Sequence, residues 1–392
     1  MIVGINGRFL TKPYTGIGQY TRHLFSHLAA DNPHDKFIFA VPDLFAISDE
    51  TDGIGGKNVE IVVLPEKFFG FAGMRKTYWE QVQVPRLFKK RGVDIAHFPY
   101  PSNPWLGFKK PVVVTVHDTI PWTMAAYRKS FLTRLYQNRA KKAVKKADAV
   151  VTVSNSSKKE IVKVCGVKEG LVHVINNAPG SAFAATEKGD GVSHKEILQS
   201  YGIDPEKPYF LYIGGYDERK NVRSLMEVYM REIAPNFEVN FVLAGAKSLN
   251  NPLYGSFDDL TKAINGSSLR TYRGNMVVTG YLAEKDLPAL YQSSFAFLTF
   301  SNREGFNLPL AEAAAAHTVI IASDLPVHWE IAGDAPIFCP PDDKKQLSTL
   351  MKKVIADKAF YKKQKQKMKD YVSPFSWEKS ARQLMELYKK II

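Results

Sequence analysis

Thr299-Phe300-Ser301-Asn302-Arg303-Glu304-Gly305-Phe306-Asn307-Leu308-Pro309-Leu310-Ala311-Glu312-Ala313 changes character twice. It starts at the end of the apolar run Phe295–Phe300, crosses a polar loop with one glycine, and enters a helical pattern around Asn307–Pro309. Pro309 suits a first helical turn, where its missing N–H costs nothing. A buried strand feeding through a short loop into a helix is the repeating unit of a parallel α/β sheet. Outward from this unit the pattern recurs. Apolar runs lie at Tyr209–Ile213, Asn240–Ala244, Met276–Thr279 and Val319–Ala322 in the second half. In the first half they lie at Ile2–Ile5, Phe37–Val41, Val59–Leu64, Ile95–Phe98, Val112–Val116, Ala149–Val153 and Val172–Ile175. Most are apolar throughout, as strands covered by helices on both faces must be. Amphipathic stretches such as Gly18–Leu28 and Thr133–Lys146 separate them.

Two such series predict two sheets, and 392 residues suit two cores better than one. The break is expected within Asn177–Pro208, where Pro179-Gly180 and Lys188-Gly189-Asp190-Gly191 interrupt the pattern. Phe375–Ile392 reads as a closing helix with Ser376 as N-cap. Open parallel sheets bind ligands beyond the carboxyl ends of their strands, where strand order reverses, so two facing sheets predict a cleft between the domains.

The 53 basic and 39 acidic side chains leave a net charge of +14, which favours an anionic partner: nucleic acid, a phosphate-bearing substrate or an anionic membrane surface. The start, Met1-Ile2-Val3-Gly4-Ile5, reads as a first buried strand and not as a signal peptide. No uncharged apolar run is long enough for a membrane-spanning helix. The two cysteines, Cys165 and Cys339, cannot form a disulfide framework or a metal site alone, which fits a cytoplasmic location.

Candidate ligand residues follow the strands. At Glu304–Glu312 a helix N-terminus offers amides and the positive dipole end to phosphate or sugar oxygens, and Gly305 permits close approach. Helical side chains lean toward the N-terminus, so Glu312 is expected to point toward the ligand that Glu304 faces. Taken singly, Glu304 reads more readily as an ordinary loop acid and Glu312 as a partner of the helix dipole. After Tyr209–Ile213 comes Gly214-Gly215-Tyr216-Asp217-Glu218-Arg219-Lys220-Asn221, whose arginine and lysine can neutralise a diphosphate. Gly280-Tyr281-Leu282 follows another strand, and Tyr14-Thr15-Gly16-Ile17-Gly18-Gln19-Tyr20 opens a helix soon after the first. The latter lacks the third glycine of a dinucleotide fingerprint. His117-Asp118 ends Val112–Val116; by itself such a histidine is more commonly a packing residue. Ser154-Asn155-Ser156 fits a helix N-cap.

Glu304-Gly305-Phe306-Asn307-Leu308-Pro309-Leu310-Ala311-Glu312 resembles the E-x7-E signature of retaining GT-B glycosyltransferases, and its surroundings are similar to family 4 of that group. The resemblance implies a GT-B fold of two Rossmann-like α/β domains with parallel sheets facing the cleft. Residues 1–185 would form the acceptor-binding domain, 200–374 the nucleotide-sugar domain, and 375–392 a helix able to cross back to the first. It implies that Glu304 lies at the donor sugar and Glu312 at the ribose, with Gly305, Phe306, Asn307 and Leu308 lining the donor. Asn307 and His317 stand where relatives usually carry glycine. Arg219-Lys220-Asn221 is similar to the family's R-K-N or R-K-G motif, which implies a diphosphate contact for Arg219 and Lys220. Gly215 stands where many members have an additional arginine. Tyr281 and Leu282 resemble the loop framing the base. Gly16 and Gly18 resemble a loop near the diphosphate and acceptor, although Thr15 and Gln19 depart from its usual glycine and arginine. Val114-Thr115-Val116-His117-Asp118 resembles the motif that places the histidine beside the donor sugar.

The implied activity is transfer of a hexose, with mannose as the first expectation, from a nucleoside-diphosphate sugar to a glycan or lipid-linked acceptor in cell-surface polysaccharide synthesis. Retention at the anomeric carbon is a family inference. GDP-mannose is favoured because Ile331-Ala332-Gly333-Asp334-Ala335 looks like a segment of bacterial mannosyltransferases; UDP- and dTDP-sugars stay open. No D-x-D pair, P-loop, zinc spacing or nucleophile elbow occurs, so no metal or other cofactor is expected. Basic residues concentrate in Arg128–Lys146, and Phe68–Trp79 mixes aromatics with cations. Both suit a membrane–water interface, leaving a peripheral position on the inner face of the plasma membrane open. Two rival readings remain: a sugar-nucleotide epimerase of the same fold, and a nucleic-acid-binding protein using the basic surface. The second lacks a recognition helix or an aromatic RNA motif, so nucleic acid is not the expected partner.

Overall fold

The computed structural model describes residues 1–42, 54–66, 72–105, 108–183, 193–245 and 273–392. Lys188–Gly191 and Phe68–Phe71, singled out above, lie outside the described residues. The chain forms two compact α/β units: Met1–Asn177 with Phe375–Ile392, and Ala178–Pro374.

The first unit holds β1 (Ile2–Asn6), β2 (Lys36–Val41), β3 (Val59–Val63), β4 (Ile95–Phe98), β5 (Val112–Thr115), β6 (Ala149–Thr152) and β7 (Val172–Val174). They pair in parallel in the order β3-β2-β1-β4-β5-β6-β7. The order reverses between β1 and β4. Around Phe98, Val114 and Val150 pack Trp79, Phe88 and Ile161, from the helical segments that cover the sheet. The C-terminal helix Trp377–Ile391 belongs to this unit. Ser376 caps it by accepting from the Lys379 amide at 3.2 Å, Trp377 stacks on His23 at 5.4 Å, and the Ser380 hydroxyl donates to the Asn176 carbonyl at 2.7 Å.

The second unit holds β8 (Tyr209–Ile213), β9 (Asn240–Ala244), β10 (Met276–Gly280), β11 (Ala296–Thr299), β12 (Ile320–Ser323) and β13 (Ile337–Cys339). Their order is β10-β9-β8-β11-β12-β13, again parallel, with the reversal between β8 and β11. Tyr212, Leu225, Tyr229, Phe241, Leu298 and Met351 share its core. Twelve strands coincide with the apolar runs; β13 is additional, three residues flanked by Pro336 and Pro340 and too short to show a period. Residues 178–183 pack with the second unit, so the division between the units falls after Asn177, at the start of the interval Asn177–Pro208. Among the described residues no helix is long and apolar enough to cross a membrane.

Candidate functional site

In the second unit a cluster of charged side chains lies at the reversal point. Arg219 and Lys220 sit in a short turn, Glu218–Lys220, beyond β8; Glu304 sits in the loop beyond β11. The Glu304 side chain is only 4% exposed and accepts from Arg219 Nη1 at 2.5 Å, Lys220 Nζ at 2.5 Å and Ser301 Oγ at 2.7 Å. Arg219 Nε also pairs with Asp217 at 3.1 Å. The Asn302 amide donates to the Arg219 carbonyl at 2.7 Å, tying the two loops together. Burial pushes the Glu304 carboxyl up, but the two cations overcome this and hold it at about 2. Burial lowers the Lys220 ammonium, against the pull of Glu304. Two cations and two carboxylates are thus held together where a parallel sheet opens to ligands.

The loop geometry explains two departures from glycine. Asn307 has φ +85°, and Asn is the non-glycine residue that best tolerates that region. Its side-chain amide donates to Thr299 Oγ1 and to His328 Nε2, both at 3.0 Å, while His328 Nδ1–H donates to the Ser323 carbonyl at 2.7 Å. His328 is therefore neutral with its proton on Nδ1, and burial lowers its basicity accordingly. At the far end of helix Leu308–Ala315, His317 has φ +52°. Its amide bonds the Ala314 carbonyl at 3.0 Å and the Thr318 amide bonds Ala313 at 3.0 Å, a Schellman arrangement normally closed by glycine. Asn221 (φ +51°) makes a third such turn, so asparagine and glycine are the residues its position accepts.

Glu312, half-buried on the same helix as Leu308, accepts from the Tyr291 hydroxyl at 2.8 Å. Burial raises its carboxyl to about 7, against the lowering effect of that bond. Gly305 and Phe306 are buried in the loop ahead of the helix. At the ends of β8, β9 and β10 stand Gly214, Gly245 and Gly280, all with positive φ. A Cβ on Gly245 would lie 2.9 Å from both the amide nitrogen and the carbonyl oxygen of Gly214, so these strand ends meet backbone to backbone. The Gly215 carbonyl accepts from the Tyr212 hydroxyl at 2.5 Å. Tyr281 is exposed and Leu282 is buried beside it.

In the first unit, Thr15 caps helix Gly16–Asp31 by accepting from the Gly18 amide at 3.1 Å. A Cβ on Gly18 would lie 2.1 Å from the Lys12 carbonyl oxygen, so this glycine is required by packing; Gly16 has open space. His117, half-buried after β5, donates from Nε2 to the Pro99 carbonyl at 2.9 Å, leaving Nδ1 as the unprotonated acceptor. Burial pushes it down to about 4, so it is neutral near pH 7. Tyr20 meets its ring edge-on at 4.7 Å and bonds Thr115 Oγ1 at 2.9 Å; His97 bonds the same hydroxyl at 2.7 Å and reaches Tyr388 of the C-terminal helix. Ser154 is an N-cap, accepting from the Ser157 amide at 3.0 Å.

The structure therefore brings Arg219, Lys220 and Glu304 together, ties Glu312 to Tyr291, and fixes His117 in the other unit. Asp217, Ser301, Tyr291 and His328 were not singled out in the sequence, since their roles arise from contacts between distant segments. Among the described residues no group of three His, Cys, Asp or Glu side chains is placed to hold a metal ion.

Residues 14–178 match Glycosyltransferase Family 4, and residues 193–373 match Glycosyl transferases group 1. The chain is similar to O-antigen chain mannosyltransferase B of Escherichia coli, 25% identical over 389 residues covering 96% of each chain. It is also similar to the serotype-specific mannosyltransferase WbdA of Escherichia coli, 23% identical over 302 residues, 75% of this chain but 34% of that longer protein. Among solved structures, sucrose-phosphate synthase from Thermosynechococcus elongatus superposes with a TM-score of 0.74 at 18% identity, covering 100% of this chain and 99% of that one.

Proposed function

The chain belongs to the GT-B glycosyltransferases of family 4, and from that premise we propose that it moves mannose from GDP-mannose to a glycan or lipid-linked acceptor, with retention at the anomeric carbon. The name of the full-length relative supports mannose and O-antigen synthesis. The observation that carries the reading is the convergence of Arg219 and Lys220 on Glu304 at the sheet's reversal point. As the bond between sugar and diphosphate breaks, negative charge grows on the leaving group. Cations already held in place stabilise that charge without reorganising. Glu304, kept ionised, accepts hydrogen bonds from donor-sugar hydroxyls. Glu312 accepts from the ribose, and Tyr281 with Leu282 frames the base. His117 Nδ1 accepts from a substrate hydroxyl. The acceptor hydroxyl then attacks from the face the diphosphate leaves, through an oxocarbenium-like state, and its proton passes to an oxygen of the departing diphosphate. The setting is the cytoplasm.

Thermal melting against a panel of nucleotide sugars tests the donor. A ligand at about 100 times its Kd adds about 2.7 kcal/mol, a shift of several degrees. GDP-mannose should give the largest shift, and transfer to the acceptor should release GDP. A panel in which no nucleotide sugar moves the melting point overturns the proposal; a larger shift with a UDP- or dTDP-sugar corrects the donor alone.

A further inference from the structure

Of the ten large apolar side chains exposed among the described residues, four lie on two neighbouring helices of the first unit. Phe131 and Leu132 are each 74% exposed, Met74 is 53% exposed and Leu135 is 38% exposed. All four lie on two helices of the first unit, Ala72–Tyr78 and Phe131–Val144. These helices are neighbours: Lys76 Nζ of one lies 5.3 Å from the Tyr136 ring of the other. The longer helix is fixed from within. Ser130 caps it by accepting from the Thr133 amide at 3.1 Å, and Gln137, Ala140, Ala143 and Val144 form its buried face. Its first turn therefore presents Phe131 and Leu132 outward without serving its own core.

The exposed charges on these two segments have one sign. Segments 72–78 and 128–146 contain Arg75, Lys76, Arg128, Lys129, Arg134, Arg139, Lys141, Lys142, Lys145 and Lys146, and no aspartate or glutamate; Glu80, between the two helices, is buried and pairs with Lys76 at 3.5 Å. Arg75, Lys129, Arg134, Arg139, Lys142, Lys145 and Lys146 are exposed. The lysine-rich helix Lys358–Asp370 of the second unit makes an instructive contrast, because no large apolar side chain stands exposed on it. A charge run of that kind is a solvated face. Apolar tips among exposed cations need a partner that is both anionic and able to take up hydrocarbon.

We propose that helices Ala72–Tyr78 and Phe131–Val144 dock the chain on an anionic lipid bilayer, with Phe131, Leu132, Leu135 and Met74 entering the interface and the cations lying at the phosphates. Interfacial helices are held by this combination of buried apolar area and attraction to anionic headgroups. Each cation near such a surface contributes roughly a fivefold gain in partitioning, and salt screens it.

The test is co-sedimentation of the full chain with vesicles of phosphatidylcholine alone, or of phosphatidylcholine with phosphatidylglycerol at roughly three to one, at low and raised salt. The mixed vesicles should bind the chain at least roughly tenfold better, with the advantage shrinking as salt rises. The double change Phe131→Ser and Leu132→Ser should lower that binding roughly tenfold or more while leaving the melting temperature unchanged. Phe131→Trp, alone, should shift its fluorescence to the blue on mixed vesicles and not on neutral ones. Equal binding to both vesicle types at low salt, or full binding by the double variant, overturns the proposal. So does self-association that the double variant abolishes without any lipid binding, which would assign the patch to a second copy of this chain.

Discussion

Replacing Lys220 by Met keeps most of the side-chain volume and removes one of the two cations on Glu304. The Glu304 carboxyl lies at about 2 against an ordinary 4.5. That depression corresponds to roughly 3 kcal/mol, net of the opposing effect of burial. Arg219 and Lys220 approach at the same 2.5 Å, so losing one forfeits a large share of this attraction. Lys220 is itself disfavoured by burial, which offsets part of the loss. We expect a stability loss of about 3 kcal/mol at neutral pH, the low end for opening a buried ion pair, because Arg219 remains. A carboxyl depressed in the folded state contributes stability above its unfolded value, and that contribution disappears as pH falls through about 2. In Lys220→Met the folded value moves up toward the ordinary 4.5, so less stability is lost on acidification below that value and the acid limb of the melting curve flattens. If the ammonium also stabilises the departing diphosphate, kcat should fall about 10²–10³-fold, as when one electrostatic donor is removed from an active site. The assays are melting curves from acid to neutral pH and initial rates of nucleoside-diphosphate release. Turnover within roughly threefold of the parent would refute the diphosphate contact. An unchanged acid limb would refute the electrostatic account of Glu304.

Asn307→Gly should cost about 1–2 kcal/mol, the loss of the bonds to Thr299 and His328, because glycine accepts φ +85°. Asn307→Val should cost several kcal/mol more, and equal chemical denaturation midpoints for the two variants would contradict the backbone argument. Gly245→Ala drives a Cβ to 2.9 Å from the Gly214 backbone at φ +105°, so a loss of about 2–4 kcal/mol is expected in denaturant titrations. Glu312, raised to about 7, favours the protonated folded chain, so its contribution to stability falls as pH rises from its ordinary 4.5 through about 7. Ribose binding needs the ionised acceptor, so nucleotide affinity measured by calorimetry should rise over that upper range, and Glu312→Gln should flatten the rise. If Arg219 and Lys220 neutralise the diphosphate, chelating divalent ions should leave the transfer rate unchanged; a loss restored by magnesium would contradict this.

Strands covered on both faces must be apolar at nearly every position, so most of the twelve readable strands stand out locally on that ground. β3 and β10, at the sheet edges, are at most half-buried. β13 escapes because three residues between prolines show no period. Arg219 and Glu304 stand 85 residues apart and Lys220 and Glu304 stand 84 apart, so only the motifs around them, and not their spacing, pointed to one site. Asp217, Ser301 and Tyr291 carried no local signal, because common polar residues become partners only when loops from separate strands meet. The glycine-like positions divide the same way. Asn221 could be read from its motif, whereas His317 drew notice as a departure and only its φ of +52° shows that the turn is kept.

By itself the amino-acid order determined the two parallel α/β sheets, the loops that follow their strands, and the family these loops resemble, because secondary-structure periodicity and motif chemistry are local properties of the chain. Tertiary structure alone decided which charges meet. It held Glu304 ionised between Arg219 and Lys220, raised Glu312 toward neutrality beside Tyr291, and set Gly18 against a backbone carbonyl. Burial and Coulomb attraction depend on distances in space, and distances between segments far apart in sequence exist only once the sheets have formed.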